Sequence, residues 1–192
     1  MNGHQATLKV VSLLLGYPGR ERRSLWQEVP EVLAALYPLA ARDELAAFLL
    51  AQADIGQEEI EQHYVEVFDF RKEGALYLTY HESGDLPARG PALLALQDML
   101  RSDGCSPQDG ELPDYMPLLL EWQAGLPALH ADIARRMASA FARLLPELER
   151  HPSPYVHVVR AALQALPQAG ADGEEPPAGP DPADVPYPLA HP

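Results

Sequence analysis

Apolar positions recur with a helical period along almost the whole chain. Leu8, Val11 and Leu15 form a short apolar face, and Gly16 with Pro18 supplies a stop. Glycine accepts a left-handed turn, and proline cannot continue a helical ladder. Ser24 and Gln27 are spaced as a capping box ahead of Leu25, Val29, Val32, Leu33 and Leu36. Pro30 interrupts that stretch, which predicts a kink or two short pieces. Leu45, Phe48 and Leu49 mark another helix, and Asp54 with Gln57 is spaced to cap the next. There Ile60, Tyr64, Val67 and Phe68 lie at i, i+4, i+7 and i+8, with acidic residues and glutamines on the opposite side. Leu93, Leu96 and Leu100 follow Gly90-Pro91.

The clearest amphipathic pattern runs from Pro127 to Leu145. At about 100° per residue, Leu129, Ile133, Met137, Phe141 and Leu144 fall within an arc of roughly 120°. Ser153-Pro154 caps a last helix carrying Val158, Val159, Ala162, Leu163 and Leu166. Leu76 to Tyr80 has β propensity, but the stretch is short and has no partner strand. No fixed-period repeat is present. The prediction is an all-α fold: one helical-bundle domain over residues 1–167.

Composition changes after Pro167. Residues 168–192 hold seven prolines, three glycines and five acids, with no Lys or Arg. Such a segment buries too little apolar surface to offset its ordering entropy, so a disordered acidic tail is expected. The whole chain carries a formal net charge of −14. That disfavours nucleic acid and anionic membrane surfaces, and favours cationic partners. Cys105 is the single cysteine, which excludes an intrachain disulfide and fits a reducing compartment. No signal peptide, twin-arginine leader or stretch of roughly 18 apolar residues is found. The expected location is the cytoplasm.

Chemistry-bearing residues concentrate at the junctions between helices. In Glu111-Leu-Pro-Asp114, Pro113 and the following Pro117 both fix φ and lack a donor, predicting a rigid entry into a helix spanning Leu118 to Trp122. Asp114 then sits near a helix N-terminus, where negative charge is favoured. Two readings are open: a helix-start carboxylate beside a solvated Glu111, or two carboxylates facing a cationic ligand. In Gly84-Asp85-Leu-Pro-Ala-Arg89-Gly90, Asp85 and Arg89 either pair within a hairpin or reach outward. Tyr64, Tyr77 and Tyr80, with Phe68 and Phe70, are either core or the wall of a peptide groove. His81-Glu82 begins like a zincin helix, but Asp85 stands where the second histidine is needed. Walker, Rossmann and nucleophile-elbow spacings are absent.

Phe68-Asp69-Phe70, Leu76-Tyr-Leu-Thr-Tyr80, Gly84-Asp85, Arg89-Gly90 and Glu111-Leu-Pro-Asp114 with Leu119-Leu-Glu121 carry a resemblance. In this order, over residues 5 to 165, the chain resembles the delta-type assembly chaperones of respiratory nitrate reductase, within the redox-enzyme maturation chaperones. The resemblance implies an all-helical fold without catalytic activity. It implies a partner, the apo catalytic subunit with its N-terminal peptide, held for molybdenum-cofactor insertion before membrane docking. No cofactor is expected to stay bound, no nucleic acid is expected as partner, and a monomer or weak homodimer is expected. The implied client-binding residues are Tyr64, Phe68, Asp69, Tyr77, Tyr80, Asp85, Arg89, Glu111, Pro113, Asp114, Tyr115, Leu119, Glu121 and Trp122. Tyr115 departs from the family, which often has His there.

The expected recognition mode is helix-in-groove: an amphipathic peptide buries its apolar face while its basic residues meet an acidic rim. Asp114→Ala and Arg89→Ala are then expected to weaken client binding and to leave the melting temperature near wild type. The rival readings are a chaperone for another molybdoenzyme, a structural subunit retained in the complex, and a small helical enzyme using Glu111 and Asp114 as an acid/base pair.

Overall fold

The computed structural model describes residues 3–33, 36, 39–84, 86–107 and 110–167. The expected tail, residues 168–192, and the candidate Asp85 lie outside the described residues. The helices are α1 (Gly3–Leu15), α2 (Arg20–Trp26), α3 (Val29–Val32), α4 (Leu39–Gln52) and α5 (Gln57–Phe68). A 3-10 turn (Lys72–Gly74) leads to α6 (Leu78–Ser83), α7 (Arg89–Ser102), α8 (Met116–Gly125), α9 (Ala131–Arg150) and α10 (Tyr155–Ala165). Among the described residues there is no strand, and the fold is all-α.

The apolar stripes read from the sequence face one shared core, running from Leu8 to Leu166. Leu8, Val11 and Leu15 are buried, as are Ile133, Met137, Phe141 and Leu144. Helix α10 is central. It packs on α1, α4 and α9, and α1 in turn packs on α8. Its small residues Ala161 and Ala162 are fully buried, which lets neighbouring helices approach from several sides. Helices α4 and α10 run antiparallel, because Phe48 meets Tyr155 with ring centroids 5.2 Å apart while Glu44 meets His157 Nδ1 at 2.6 Å.

Several local expectations are corrected. Neither capping box forms. Helix α2 begins at Arg20 with Gly19 as N-cap, so Ser24 lies inside it and its hydroxyl donates back to Glu21 O at 2.6 Å. Helix α5 begins after Gly56, and Gln57 Nε2 donates to Pro18 O at 2.7 Å instead of serving a cap. Pro30 does divide its stretch into two pieces, α2 and α3. Helix α9 starts at Ala131, because His130 N donates to Gln123 Oε1 at 2.9 Å and closes the preceding loop. It continues past the expected end with Pro146 inside it. Pro146 and Ala142 are both exposed, so water can satisfy the carbonyl that proline leaves unpaired.

Leu76 to Leu78 also finds the partner that the sequence did not reveal. A single antiparallel bridge joins Tyr77 to Tyr115. Leu78 N donates to Asp114 O and Met116 N to Leu76 O, each at 2.9 Å. Upstream, Gly74 is buried and packs so closely that a Cβ there would overlap the Val67 carbonyl.

An aromatic cluster closes one end of the core. Tyr155 contacts Phe48, Tyr64 and Phe68, with centroids 5.2, 5.8 and 4.9 Å away. Ser153 Oγ accepts from Tyr155 N at 3.3 Å, the expected start of α10. The Tyr155 hydroxyl is buried without a hydrogen-bond partner, and burial pushes its pKa far up. A buried donor left unmade costs about 1–3 kcal/mol. Tyr155→Phe should therefore raise the unfolding free energy by about 1 kcal/mol in a urea titration; a loss of that size would show that the hydroxyl is satisfied.

His63 and His81 are both held below their ordinary pKa of 6.5, chiefly by burial, with Arg71 and Arg143 adding to the effect. The unfolded chain then binds protons before the folded one does. Stability is full above that ordinary value and falls as pH drops through it. The variant carrying His63→Gln and His81→Gln should show a flatter stability profile between neutral and mildly acidic pH than the parent.

Candidate functional site

The junction between α6, α7 and α8 is built around one buried carboxylate. Asp114 is fully buried. Its Oδ2 accepts from Thr79 N at 3.3 Å, from the Thr79 hydroxyl, and from Arg89 Nη2 at 3.4 Å. Arg89 Nε donates to Thr79 Oγ1 at 3.1 Å, so the hydroxyl links the two charges. The guanidinium carbon also lies 6.0 Å from the Tyr77 ring centroid and 5.8 Å from that of Tyr80. Oδ1 of Asp114 is buried without a partner.

Asp114 is therefore neither a cap of α8 nor a carboxylate presented to a ligand. The N-cap of α8 is Tyr115, with no side-chain cap. Arg89 turns inward, pairing with Asp114 across 25 residues of sequence. The expectation that Asp114→Ala and Arg89→Ala would spare the fold is corrected by this burial.

Next to this corner, α8 forms one wall of a cleft of about 480 Å³, with Ser12 of α1, Arg22 of α2 and the loop after α7. Tyr115, Pro117, Leu118 and Trp122 give it an apolar lining. Asp103, Glu111 and Glu121 add carboxylates, and Arg22 a single cation. Gly16 makes room for that cation, since a Cβ there would stand 2.5 Å from the Arg22 guanidinium.

The lining is anchored from behind. Ser12 Oγ donates to Pro117 O at 2.7 Å and ties α8 to α1. Tyr64 donates its hydroxyl proton to Leu15 O at 3.0 Å, so Tyr115 is the donor in the 3.1 Å contact between the two phenols. Burial raises the pKa of both, and both stay neutral. Asp103 accepts from Trp122 Nε1 at 3.0 Å and from His130 Nε2 at 2.8 Å. The His130 bond holds the Asp103 carboxyl below its usual pKa, so it is ionised. Burial raises the Cys105 thiol, with Glu121 and Asp103 adding to the rise, and this cysteine is no activated nucleophile.

Of the residues singled out in the sequence, Glu111, Tyr115, Glu121 and Trp122 come together at this cleft. Asp114, Arg89, Tyr77 and Tyr80 form the corner beside it. Tyr64, Phe68 and Leu119 are buried in the core, and Pro113 is half-buried. Asp69 is exposed at the C-terminal end of α5. Ser12, Arg22, Asp103 and His130 were not foreseen. They lie far apart in sequence and belong to no motif, so only the tertiary fold, which packs α1 on α8 and brings Asp103 to Trp122 and His130, could find them.

Residues 34–161 match the family model described as nitrate reductase delta subunit. The chain belongs to this family. It is 34% identical over 170 residues to the probable nitrate reductase molybdenum cofactor assembly chaperone NarJ of Bacillus subtilis (strain 168), covering 86% of this chain and 91% of that protein. Against the nitrate reductase molybdenum cofactor assembly chaperone NarJ of Escherichia coli (strain K12), identity is 33% over 166 residues, 83% of this chain and 70% of that one. The nitrate reductase-like protein NarX of Mycobacterium tuberculosis is 37% identical over 105 residues, 53% of this chain but 16% of NarX. The Tyr115 phenol bonds Tyr64 across 51 residues of sequence.

Removing one partner of a buried ion pair strands the other charge, at about 3–5 kcal/mol. Arg89→Ala strands the fully buried carboxylate and should cost that much, whereas Asp114→Ala strands a partly exposed guanidinium and should cost less, about 2–3 kcal/mol. Arg89→Ala and Asp114→Ala should each lower the melting temperature clearly, and the double variant should lose less than the sum. Additive losses would dissolve the pair.

Proposed function

We propose that this chain is an assembly chaperone for a nitrate reductase. It binds the apo catalytic subunit and holds it while the molybdenum cofactor is inserted, before that subunit docks on its membrane anchor. The role is non-catalytic, and the cofactor is the client's cargo. Support comes from family membership and from the chaperone names of relatives matched over most of the chain. Among the described residues no helix is long and apolar enough to cross a membrane.

The observation that carries the mechanism is the cleft on α8, an apolar floor with three carboxylates and one arginine around it. This suits an amphipathic segment with basic side chains, as the client's N-terminal peptide would provide. Leu118 and Trp122 take its apolar face; Asp103, Glu111 and Glu121 meet its cations. Burial supplies most of the affinity, at about 25 cal/mol per Å² of gross area before ordering costs. The exposed charges set orientation and association rate more than affinity. The buried ion pair of Arg89 and Asp114 stands behind the cleft as its support.

Titration of the full-length protein with the client's N-terminal peptide tests this. Leu118→Glu should weaken binding more than tenfold, because it puts a charge on the apolar floor. Glu111→Gln and Glu121→Gln should each cost a few-fold, mostly in association rate, and reduce salt dependence. Melting temperatures of the two Gln variants should stay near the parent, and Leu118→Glu, whose side chain also packs against the core, is titrated well below its own melting temperature. Unchanged affinity in Leu118→Glu would remove the cleft from the mechanism. Recovery of the protein at fixed stoichiometry in the mature enzyme would overturn the chaperone role.

A further inference from the structure

A second cleft, of about 640 Å³, lies on another part of the bundle, where α2, α3 and the C-terminal end of α4 meet. Its chemistry is opposite to that of the first. Arg20 and Arg23 line it together with Trp26, Leu49, Gln52 and Gln57, and no carboxylate does so among the described residues. Among the described residues neither arginine has a carboxylate partner within ion-pair distance. Arg23 is nonetheless fixed: its Nη2 donates to Ile55 O at 2.6 Å, and its Nη1 faces Gln57 Oε1 at 3.4 Å. A positive charge is thus held in place without a counter-charge among the described residues, in a chain of net charge −14.

The indole N–H of Trp26 is a second, independent sign. Trp26 is 5% exposed, and this donor has no hydrogen-bond partner. Trp26 also lines the cleft, and a buried donor left unmet there is an exception to the usual satisfaction of buried polar groups. On the same elements Leu25 is 44% and Leu50 79% exposed, apolar surface that an occupant could cover.

The geometry points to the chain's own segment 168–192 as the occupant of this cleft. That segment has five carboxylates, no Lys or Arg, and the apolar residues Val185, Tyr187 and Leu189. It starts directly after α10, which runs antiparallel to α4. The end of α10 therefore lies toward the start of α4, on the order of 20 Å from the cleft at the other end. Twenty-five residues can span up to about 80 Å. Tethering gives the segment an effective concentration on the order of mM, so even a weak carboxylate–guanidinium contact is populated. Carboxylates pair with Arg20 and Arg23, and apolar residues between the prolines cover Leu49 and its neighbours.

A nitroxide label on full-length protein tests the contact, attached at Ala190→Cys in a Cys105→Ser background. The readout is the indole N–H resonance of Trp26, assigned with Trp26→Phe. At low salt the label should remove most of its intensity, while the resonance of Trp122, whose N–H donates to Asp103, keeps more. Arg20→Glu should restore the Trp26 signal. So should changing Asp172, Glu174, Glu175, Asp181 and Asp184 to their amides. Full Trp26 intensity in the labelled parent overturns the proposal. So does a loss that disappears when the labelled protein is diluted into unlabelled protein, which would make a second copy the occupant.

Discussion

One buried carboxylate sets the shape of the functional end of this protein. Asp114 gathers the Thr79 amide, the Thr79 hydroxyl and the Arg89 guanidinium at a single oxygen. These groups belong to α6 and α7, and Asp114 itself stands at the entrance to α8. A charge taken out of water is tolerated only when it is paired and hydrogen-bonded, so the three elements cannot drift apart without stranding it. The two main-chain bonds between Leu76–Leu78 and Asp114–Met116 lock the same junction along the backbone. Two prolines flank the carboxylate and restrict the chain's alternatives.

Helix α8 turns that lock into a surface. Its buried side carries Met116, Leu119 and Leu120 into the core against α1. Its other side offers Leu118, Glu121 and the edge of Trp122 to the cleft. Because the helix start is tied to Thr79 and its first turn to Ser12, the spacing of apolar floor and acidic rim is set before any partner arrives. Preorganisation of this kind lowers the ordering cost of binding. It also explains why residues deep in the core, such as Tyr64, matter to a surface they never reach: the Tyr64 hydroxyl positions Tyr115.

Electrostatics divides the surface. The first cleft concentrates carboxylates; the second concentrates arginines, with no carboxylate lining it among the described residues. In a strongly acidic chain the second arrangement is the unusual one. Helix α2 borders both clefts, but with different residues: Arg22 lines the first, Arg20 and Arg23 the second.

The helical class, the buried stripes of α1, α5 and α9 and the break at Pro30 were all legible in the sequence, because a 3.6-residue period and proline stereochemistry are local properties. The motif residues of the corner were legible as a set, through resemblance. Their roles were not. Asp114 read either as a helix-start carboxylate or as one facing a cationic ligand, and nothing in its neighbourhood shows that Thr79 and Arg89 will close over it. Failed caps at Ser24 and Asp54 have the same origin: spacing permits a cap, but packing decides where the helix begins. The pairing of Tyr77 with Tyr115, the cleft floor and its unforeseen members depend on contacts between residues tens of positions apart. Local physics determined which segments would be helices and which faces they would bury; only the tertiary fold decided which polar groups would be sealed inside as supports and which would be left to meet a partner.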